Sequence, residues 1–329
     1  MTTSDKHPLA VLRPIMARCQ STVSEEEFHA AVNVTFHKYE SECYDEAHRN
    51  MWESLPRQFS LLTEDALADT TVPVAKSLRL LDIGCGTGLA TDCLLRTRLG
   101  EGVTSITLLD TSEAMLGKAT DRARSWNRQV EVVEGLLDKA PLDRPFDIII
   151  TSSVLHHVPD LPAFFREVSR RQQSGGLFLH VQDPHGDSLS SPTLIARRKE
   201  LESGQPDWLS RLHPKRILGR VERELSGTQG DNVENRAIRE LVSNGITPKA
   251  LTINELYRIT DIHVADEVGI SIRDMQRELP QYRLIRSRAY GFYGVLEADL
   301  DNGRKRKELE WIAAGAQDGI HVGAIWRRI

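Results

Sequence analysis

The sequence predicts an α/β fold built on a parallel sheet. Short apolar runs alternate with segments of helical pattern between residues 78 and 182, and parallel strands need such crossover connections. A glycine-rich turn follows the first apolar run, and acids stand at the ends of successive runs. In open sheets of this kind, ligands bind beyond the carboxyl ends of the strands. We therefore expect the functional site at that edge.

The turn after the first strand is the most informative stretch. Residues 80–88 read L-L-D-I-G-C-G-T-G, in which Gly84, Gly86 and Gly88 alternate with other residues. Glycine adopts positive φ readily and leaves room for a ligand against the main chain. The helix that follows offers unpaired N–H groups at its start. The turn therefore predicts close contact with a nucleotide-like cofactor.

The spacing of the glycines decides which cofactor is expected. A dinucleotide fingerprint, G-x-G-x-x-G/A, would need Gly or Ala at position 89, where this chain has the bulky Leu89. That fingerprint also has no role for Asp82, two places before the first glycine. The pattern D-x-G-x-G-x-G instead resembles the first motif of class I S-adenosylmethionine-dependent methyltransferases.

The resemblance covers residues 78–182 and extends to the C-terminal segments. It implies a doubly wound, seven-stranded sheet, with the sixth strand within residues 282–296 and an antiparallel seventh within residues 319–327. A dehydrogenase would not be expected to end in this pair of strands. The expected fold is thus α/β with an N-terminal helical cap and a helical lid inserted after strand five.

The resemblance also implies a set of cofactor contacts. Asp110 ends the second apolar run, where a carboxylate can accept hydrogen bonds from both ribose hydroxyls. The family often has an acid where this chain has Leu136, and Asp138 could substitute for it. The candidate cofactor-binding residues are Asp82, Gly84, Gly86, Gly88, Asp110, Thr111, Met115, Leu136, Asp138, Ser152 and Tyr44.

The N-terminal residues 1–75 have a helical pattern. A capping box begins at Ser24, and Tyr44, His48 and Trp52 follow at i, i+4 and i+8, so we expect them on one helix face. Such a face commonly packs on the core. In similar methyltransferases N-terminal helices cap the cofactor pocket, which makes Tyr39 and Tyr44 candidates for contacts with cofactor or substrate.

A long insertion separates the fifth strand from the sixth. It contains a capping box at residues 252–255 and a helix start at Ser271. Because it leaves the sheet at the carboxyl end of strand five, we interpret it as a substrate-selecting lid, with oligomerisation or plain packing as the alternative. The predicted regions are a cap (1–75), a Rossmann-like cofactor-binding core (76–183), the lid (184–282) and a C-terminal strand pair (283–329).

The chemistry expected of such a protein is modest. The sulfonium of S-adenosylmethionine already activates its methyl group, so the protein mainly aligns donor and acceptor and excludes water. A base is needed only when the acceptor must lose a proton, and histidine is the usual choice near neutral pH. The catalytic candidates are His156, His157, Asp183 and His263, and both His156 and His157 could also serve only as pocket wall.

A metal-assisted reaction is the alternative to a metal-free site. Asp183 and His185 follow strand five, and Asp261 and His263 lie in the lid. Two histidines and an acid could bind a divalent metal that acidifies the carbon next to a carbonyl. Such a site would suit C-methylation of a 2-oxo acid.

The composition limits the kinds of binding partner that we expect. The net charge is −5, and acids follow both short basic clusters, which predicts no nucleic-acid partner. The four cysteines lack metal-ligand spacing, and no apolar segment approaches the roughly 20 residues that span a bilayer. We expect no membrane segment, a cytoplasmic location and a small-molecule acceptor from specialised metabolism, and we leave a homodimer open.

Two other function classes stay open at this point. One is an NAD-dependent oxidoreductase, which Leu89 and the final strand pair disfavour. The other is a non-catalytic module that binds the cofactor or a partner, because the altered third motif at Leu136 could reflect lost activity.

Overall fold

A computed structural model describes the protein over residues 8–70, 77–203, 232–264 and 268–329. A seven-stranded sheet lies at its centre, in the order β3-β2-β1-β4-β5-β7-β6. β7 pairs antiparallel with both β5 and β6, whereas the pairs among β1 to β5 are parallel. The predicted fold class is confirmed. The strands are β1 (Leu78–Ile83), β2 (Val103–Asp110), β3 (Gln129–Glu134), β4 (Phe146–Ser152), β5 (Gln172–Pro184), β6 (Tyr282–Tyr290) and β7 (His321–Arg328).

Helices cover the sheet and extend past its carboxyl edge. The N-terminal region contains α1 (Arg13–Cys19), α2 (Glu25–Glu40), α3 (Tyr44–Ala47) and α4 (Met51–Ala68). Between the strands lie α5 (Leu89–Leu95), α6 (Glu113–Ala123) and α7 (Leu161–Arg171). After β5 come α8 (Pro192–Ser203), α9 (Val233–Ser243), α10 (Ile253–Thr260) and α11 (Ile272–Glu278), and α12 (Asn302–Ala314) joins β6 to β7.

The order of the strands indicates where a ligand would bind. β1 lies between β2 and β4, so the chain turns in opposite directions on leaving β1 and β4. Ligands of open α/β sheets bind at this point of reversal. The central strands β1 and β4 are almost wholly buried, as their largely apolar sequences require, while the edge strand β3 is largely exposed.

Two details differ from the sequence-based expectations. Tyr44, His48 and Trp52 do not lie on one continuous helix, because non-helical turns separate α2, α3 and α4. The sixth strand ends at Tyr290 and does not reach residue 296. Gly291 follows it at φ +74, a left-handed conformation that ends the extended run.

The cap and the lid share one hydrophobic core. The residues of this cluster come from both regions, and α2 packs directly on α9 and α10. Its buried members are Leu9, Leu12, Ile15, Met16, Cys19, Phe28, Val32, Phe36, Ala237, Ile238, Leu241, Leu251, Leu256, Ile259 and Ile262. Helices α1, α2, α9 and α10 therefore form a single helical layer beside the carboxyl edge of the sheet, whereas α4 and α11 pack in the clusters that contain the strands.

Several helices begin where local sequence signals predict a start. Ser271 accepts a backbone N–H at the start of α11, as predicted, and Ser24 accepts the Glu27 N–H at the start of α2, which is one half of the capping box predicted there. The predicted capping box of α10 forms in full, with Thr252 and Glu255 each bonding the other's backbone N–H. Among the described residues, no helix combines the length and apolar character needed to cross a membrane.

The shared core makes a prediction about stability. Phe28 in α2 is fully buried in the cap-and-lid cluster, so Phe28→Ala should lower the free energy of unfolding by about 3–5 kcal/mol. Because the two regions share this cluster, amide hydrogen exchange should accelerate in both α2 and α9. Val34→Ala on the same helix is the control, since Val34 is 36% exposed. Unchanged exchange in α9 would contradict the shared layer.

Candidate active site

A cavity of about 1370 Å³ opens at the carboxyl ends of β1, β2 and β4, under the cap and lid helices. Most of the predicted site residues lie on its wall. Those that line it are Tyr44, Gly84, Gly86, Asp110, Thr111, Met115, Leu136, Asp138, Ser152, His156 and His157. Four predicted residues lie behind this wall: Asp82, Gly88, Asp183 and His263.

The glycine turn has the geometry that its sequence predicts. Gly84, Gly86 and Gly88 have φ values of +63, +52 and +79, and α5 begins directly after them. A Cβ at Gly84 would lie 2.6 Å from Val154, and one at Gly88 would lie 3.2 Å from the Trp126 ring. A Cβ at Gly86 would meet no atom within 4 Å. Gly84 and Gly88 thus permit close packing, whereas Gly86 leaves bare main chain at the cavity.

Asp110 is fixed beside this turn. Its Oδ2 accepts the Gly86 N–H at 2.9 Å, and its Oδ1 accepts the Ser112 N–H at 2.9 Å. A carboxylate oxygen can accept two hydrogen bonds, so each oxygen keeps acceptor capacity at the cavity wall. Asp110 can therefore hold the glycine turn and bind ligand hydroxyls at the same time.

Asp82 lies one layer deeper than predicted. It is fully buried, and its Oδ2 accepts the Thr91 hydroxyl at 2.6 Å. Burial raises the pKa of Asp82 to about 7 against the opposing Thr91 hydrogen bond, and the nearby Asp110 charge adds to the rise. The side chain thus ties the start of α5 to the end of β1 and does not line the cavity.

Asp45, which no sequence pattern singled out, joins the cap to the glycine turn. Its Oδ1 accepts the Thr87 hydroxyl at 2.7 Å, and its Oδ2 accepts an N–H of Arg122 at 2.6 Å. Arg122 Nε also donates to the Thr87 carbonyl at 2.7 Å. This network places the neighbouring Tyr44 on the cavity wall, where burial raises the pKa of its phenol.

His156 lies opposite, in the turn after β4. Its Nδ1 is 2.9 Å from Oδ1 of Asp183, which is fully buried, and His180 Nδ1 is 3.6 Å from the other carboxylate oxygen. Burial alone would raise the pKa of Asp183, but the hydrogen bond from His156 and the nearby His180 imidazole outweigh it and hold that pKa below its usual range. An ionised carboxylate only accepts, so Nδ1 of His156 carries the proton.

His157 packs against His156, with ring centroids 4.0 Å apart. Its Nδ1 is 2.6 Å from the carbonyl oxygen of Thr260, at the end of α10. Burial, followed by the nearby His156 and His37 charges, holds the pKa of His157 well below its ordinary value. His157 is therefore a neutral imidazole with Nδ1 protonated, and the lid supplies the acceptor that fixes it.

The predicted metal ligands do not come together. His185 is buried with Nδ1 2.8 Å from the Ser188 hydroxyl, and His263 Nε2 lies 2.7 Å from the Val158 carbonyl. In the described part of the chain, the group that could share an ion is His156, His157 and Asp261, which offer one ligand atom each within 4.8 Å of one another. Among the ligands predicted from the sequence, only Asp261 belongs to this group.

Two site residues from α2 were missed by the sequence analysis. Glu40 Oε2 is 2.9 Å from Nδ1 of His37, and its Oε1 is 3.3 Å from Nε2 of His48. Burial lowers the pKa of His37, but the hydrogen bond to Glu40 more than reverses this and the net pKa is raised. The i, i+3 spacing of His37 and Glu40 was a usable signal. Tyr39, by contrast, faces away and donates to Glu240 of α9 at 2.5 Å.

Backbone strain at the strand ends was also invisible in the sequence. Ser153 directly follows β4 and has a φ of +57, and Gln182 lies two residues before the end of β5 and has a φ of +66. Such conformations in residues other than glycine cost about 1–3 kcal/mol and cluster at functional sites. Here they turn the chain so that His156 and Asp183 meet behind the cavity wall.

Comparison with known proteins agrees with this geometry. Residues 81–180 match the family model described as a methyltransferase domain. The trans-aconitate 2-methyltransferase of Agrobacterium fabrum is 35% identical over 136 residues, which cover 40% of this chain and 48% of that enzyme. The reducing polyketide synthase Preu2 of Preussia isomera is 25% identical over 206 residues, which cover 60% of this chain and 8% of that synthase.

The match therefore spans less than half the length of either of these curated relatives. Among solved structures, geranyl diphosphate C-methyltransferase from Streptomyces coelicolor superposes with a TM-score of 0.42 at 16% identity. That comparison covers 83% of this chain and 77% of the other.

The burial of Asp82 makes a prediction about pH. The folded protein holds a proton on Asp82 up to about pH 7, whereas the ordinary pKa of an Asp carboxyl is 3.8. The folded state therefore binds more protons in this window, and stability must fall as pH rises through it. Asp82→Asn should remove this component, so that urea unfolding at about pH 5 and about pH 8 differs less than in wild type. An equal pH dependence in both proteins would contradict the assignment.

Proposed function

We propose that the chain transfers a methyl group from S-adenosylmethionine to a small-molecule acceptor, on the premise that residues 81–180 match the family model of a methyltransferase domain. The observation that carries the proposal is the bare main chain of Gly86 at the cavity, beside the carboxylate of Asp110. A ribose fits between a donor-rich turn and a fixed carboxylate, and a purine fits against apolar side chains such as Leu136.

The same residues argue against a dinucleotide cofactor. Leu89, at the position where the dinucleotide fingerprint needs a small residue, is 6% exposed and packs in the core next to the turn. The antiparallel β7 is a second feature that a nicotinamide-dependent enzyme would not require. Both features support S-adenosylmethionine over NAD.

The remaining part of the cavity supports a small acceptor. It lies between cap and lid, and its described lining includes the acids Glu26, Glu40, Glu234 and Asp261 but, among lysines and arginines, only Arg198. A polyanion such as nucleic acid is bound mainly through Lys and Arg. The acceptor is therefore a small molecule, and the likeness to a polyketide synthase supports specialised metabolism as its source.

Methyl transfer at this site needs alignment more than chemical activation. The sulfonium supplies the reactive methyl, and the cap and lid exclude water from the donor and the acceptor. His156 and His157 form the wall that the acceptor's nucleophilic atom faces, both in the Nδ1-protonated form. Asp183 and His263 act through them, as positioning residues behind the wall.

Gly86 gives the direct test of the cofactor. In Gly86→Val a branched side chain would enter the cavity from a backbone at φ +52, so affinity for S-adenosylhomocysteine should fall at least about 100-fold by isothermal titration. Gly117→Ala is the control, since Gly117 lies in α6 with no atom within 4 Å of an added Cβ. Unchanged circular dichroism would show that both variants fold.

The same titration separates the function classes. Binding of NAD by the wild-type protein, or full affinity for S-adenosylhomocysteine in Gly86→Val, would overturn the proposal. Tight binding of S-adenosylhomocysteine together with no transfer of labelled methyl across a broad panel of acceptors would favour a non-catalytic module.

Asp110 gives an independent test of the ribose contact. Asp110→Asn removes the charge and one acceptor at nearly constant size, so the free energy of S-adenosylhomocysteine binding should weaken by about 1.5–3 kcal/mol. Glu131→Gln, on the exposed edge strand β3, is the control. An unchanged dissociation constant in Asp110→Asn would remove the proposed role.

A further inference from the structure

We propose that His156, His157 and Asp261 bind one divalent transition-metal ion in the acceptor half of the cavity, where the ion holds an acceptor through two oxygen atoms. The part concerning the acceptor rests on the proposed function. The metal site itself rests only on the three side chains and their surroundings.

The three side chains already lie near the separation that one ion requires. One ligand atom from each lies within 4.8 Å of the others. Ligand atoms about 2.0–2.2 Å from a common ion are some 3–4 Å apart, so small rotations of partly exposed side chains suffice. All three line the cavity, and their side chains are 12%, 22% and 24% exposed in the order His156, His157 and Asp261. An ion held here would face the space left for the acceptor.

The surroundings of the two histidines are those of metal ligands. Nδ1 of His156 donates to the carboxylate of Asp183, and Nδ1 of His157 donates to the Thr260 carbonyl. A metal-binding histidine nearly always donates its other ring N–H to a carboxylate or a carbonyl, which fixes the tautomer and the ring. Because these hydrogen bonds occupy Nδ1 in both rings, Nε2 is the atom of each ring that would bind the ion.

The third ligand comes from the lid. Asp261 directly follows α10, and its Oδ1 lies 3.5 Å from Nδ1 of His157. The main chain fixes the lid at this point, because the N–H of His263 donates to the His156 carbonyl at 3.3 Å. An ion at the site would therefore join the turn after β4 to the lid.

The donor set indicates which ions and acceptors fit. Two imidazoles and one carboxylate suit Fe²⁺, Co²⁺ or Zn²⁺, whereas Mg²⁺ and Ca²⁺ prefer oxygen ligands alone. Three protein ligands leave coordination positions open. An acceptor with two adjacent oxygens, such as a catechol or a 2-oxo acid, would occupy them, and the ion would offset the charge of the acids that surround it.

For an acceptor that must lose a proton, the ion would also supply acidity. A bound hydroxyl, or the carbon next to a bound carbonyl, loses its proton to water more readily. The bond between sulfur and the methyl carbon then breaks as the new bond to oxygen or carbon forms, and S-adenosylhomocysteine leaves. In this arrangement His156 is a ligand and takes no proton.

Titration of the purified protein with Co²⁺, followed by visible absorption, tests the site. We expect one equivalent to bind, and His157→Ala and Asp261→Asn should each weaken binding at least about 10-fold. Glu26→Gln is the matched control, because Glu26 is another carboxylate on the same cavity wall. Equal affinity for S-adenosylhomocysteine in all the variants would show that they fold and that the cofactor half is intact.

Several results would overturn the proposal. The first is that the wild-type protein binds no Co²⁺, and the second is that Glu26→Gln loses as much affinity for Co²⁺ as the ligand variants do. The third is that Mg²⁺ binds as tightly as Co²⁺, which would indicate a plain acid cluster. Oxalate, a small molecule with adjacent oxygen donors, should change the Co²⁺ spectrum, and no change would remove the role in holding an acceptor. Co²⁺ binding without S-adenosylhomocysteine binding would support the metal site and reject the proposed methyl transfer.

Discussion

The site depends on the carboxylate of Asp110, which joins two strand ends through main-chain hydrogen bonds. One of its oxygens accepts the N–H of Gly86 after β1, and the other accepts the N–H of Ser112 after β2. Neighbouring parallel strands end side by side, so a short side chain can reach both turns. The glycine turn is thereby held in a left-handed path that few other residues could adopt.

The helical layer covers the cavity at the carboxyl edge of the sheet. Cap and lid are separated in the sequence by the whole of the sheet core as far as β5, yet their apolar faces meet in one cluster. Ion pairs join the same helices at the surface, with Lys38 2.8 Å from Glu240 and Arg236 2.6 Å from Glu42. Such exposed pairs contribute little by themselves, so the apolar cluster carries the association. Asp45 then fixes this layer to the glycine turn.

The cavity accordingly has two chemically distinct halves. The half beside Gly86 and Asp110 offers main-chain donors and a fixed carboxylate, which suits a nucleoside. The half between cap and lid offers imidazole nitrogens and acids, which suits a bound cation or an acceptor that carries hydrogen-bond donors. His156 and His157 stand in the second half because strained backbone at Ser153 and Gln182 turns the strand ends toward each other.

The sequence by itself determined the sheet, its order of elements and the glycine turn, because these depend on apolar periodicity and on glycine's lack of a Cβ. Asp110 was found for the same reason, as an acid at a strand end. Only the tertiary structure decided that Asp82 is buried while Leu136 lies open, and that His157 meets Asp261 rather than His185. His157 and Asp261 lie about 100 residues apart in the sequence, and local patterns carry no information about which distant side chains packing brings together.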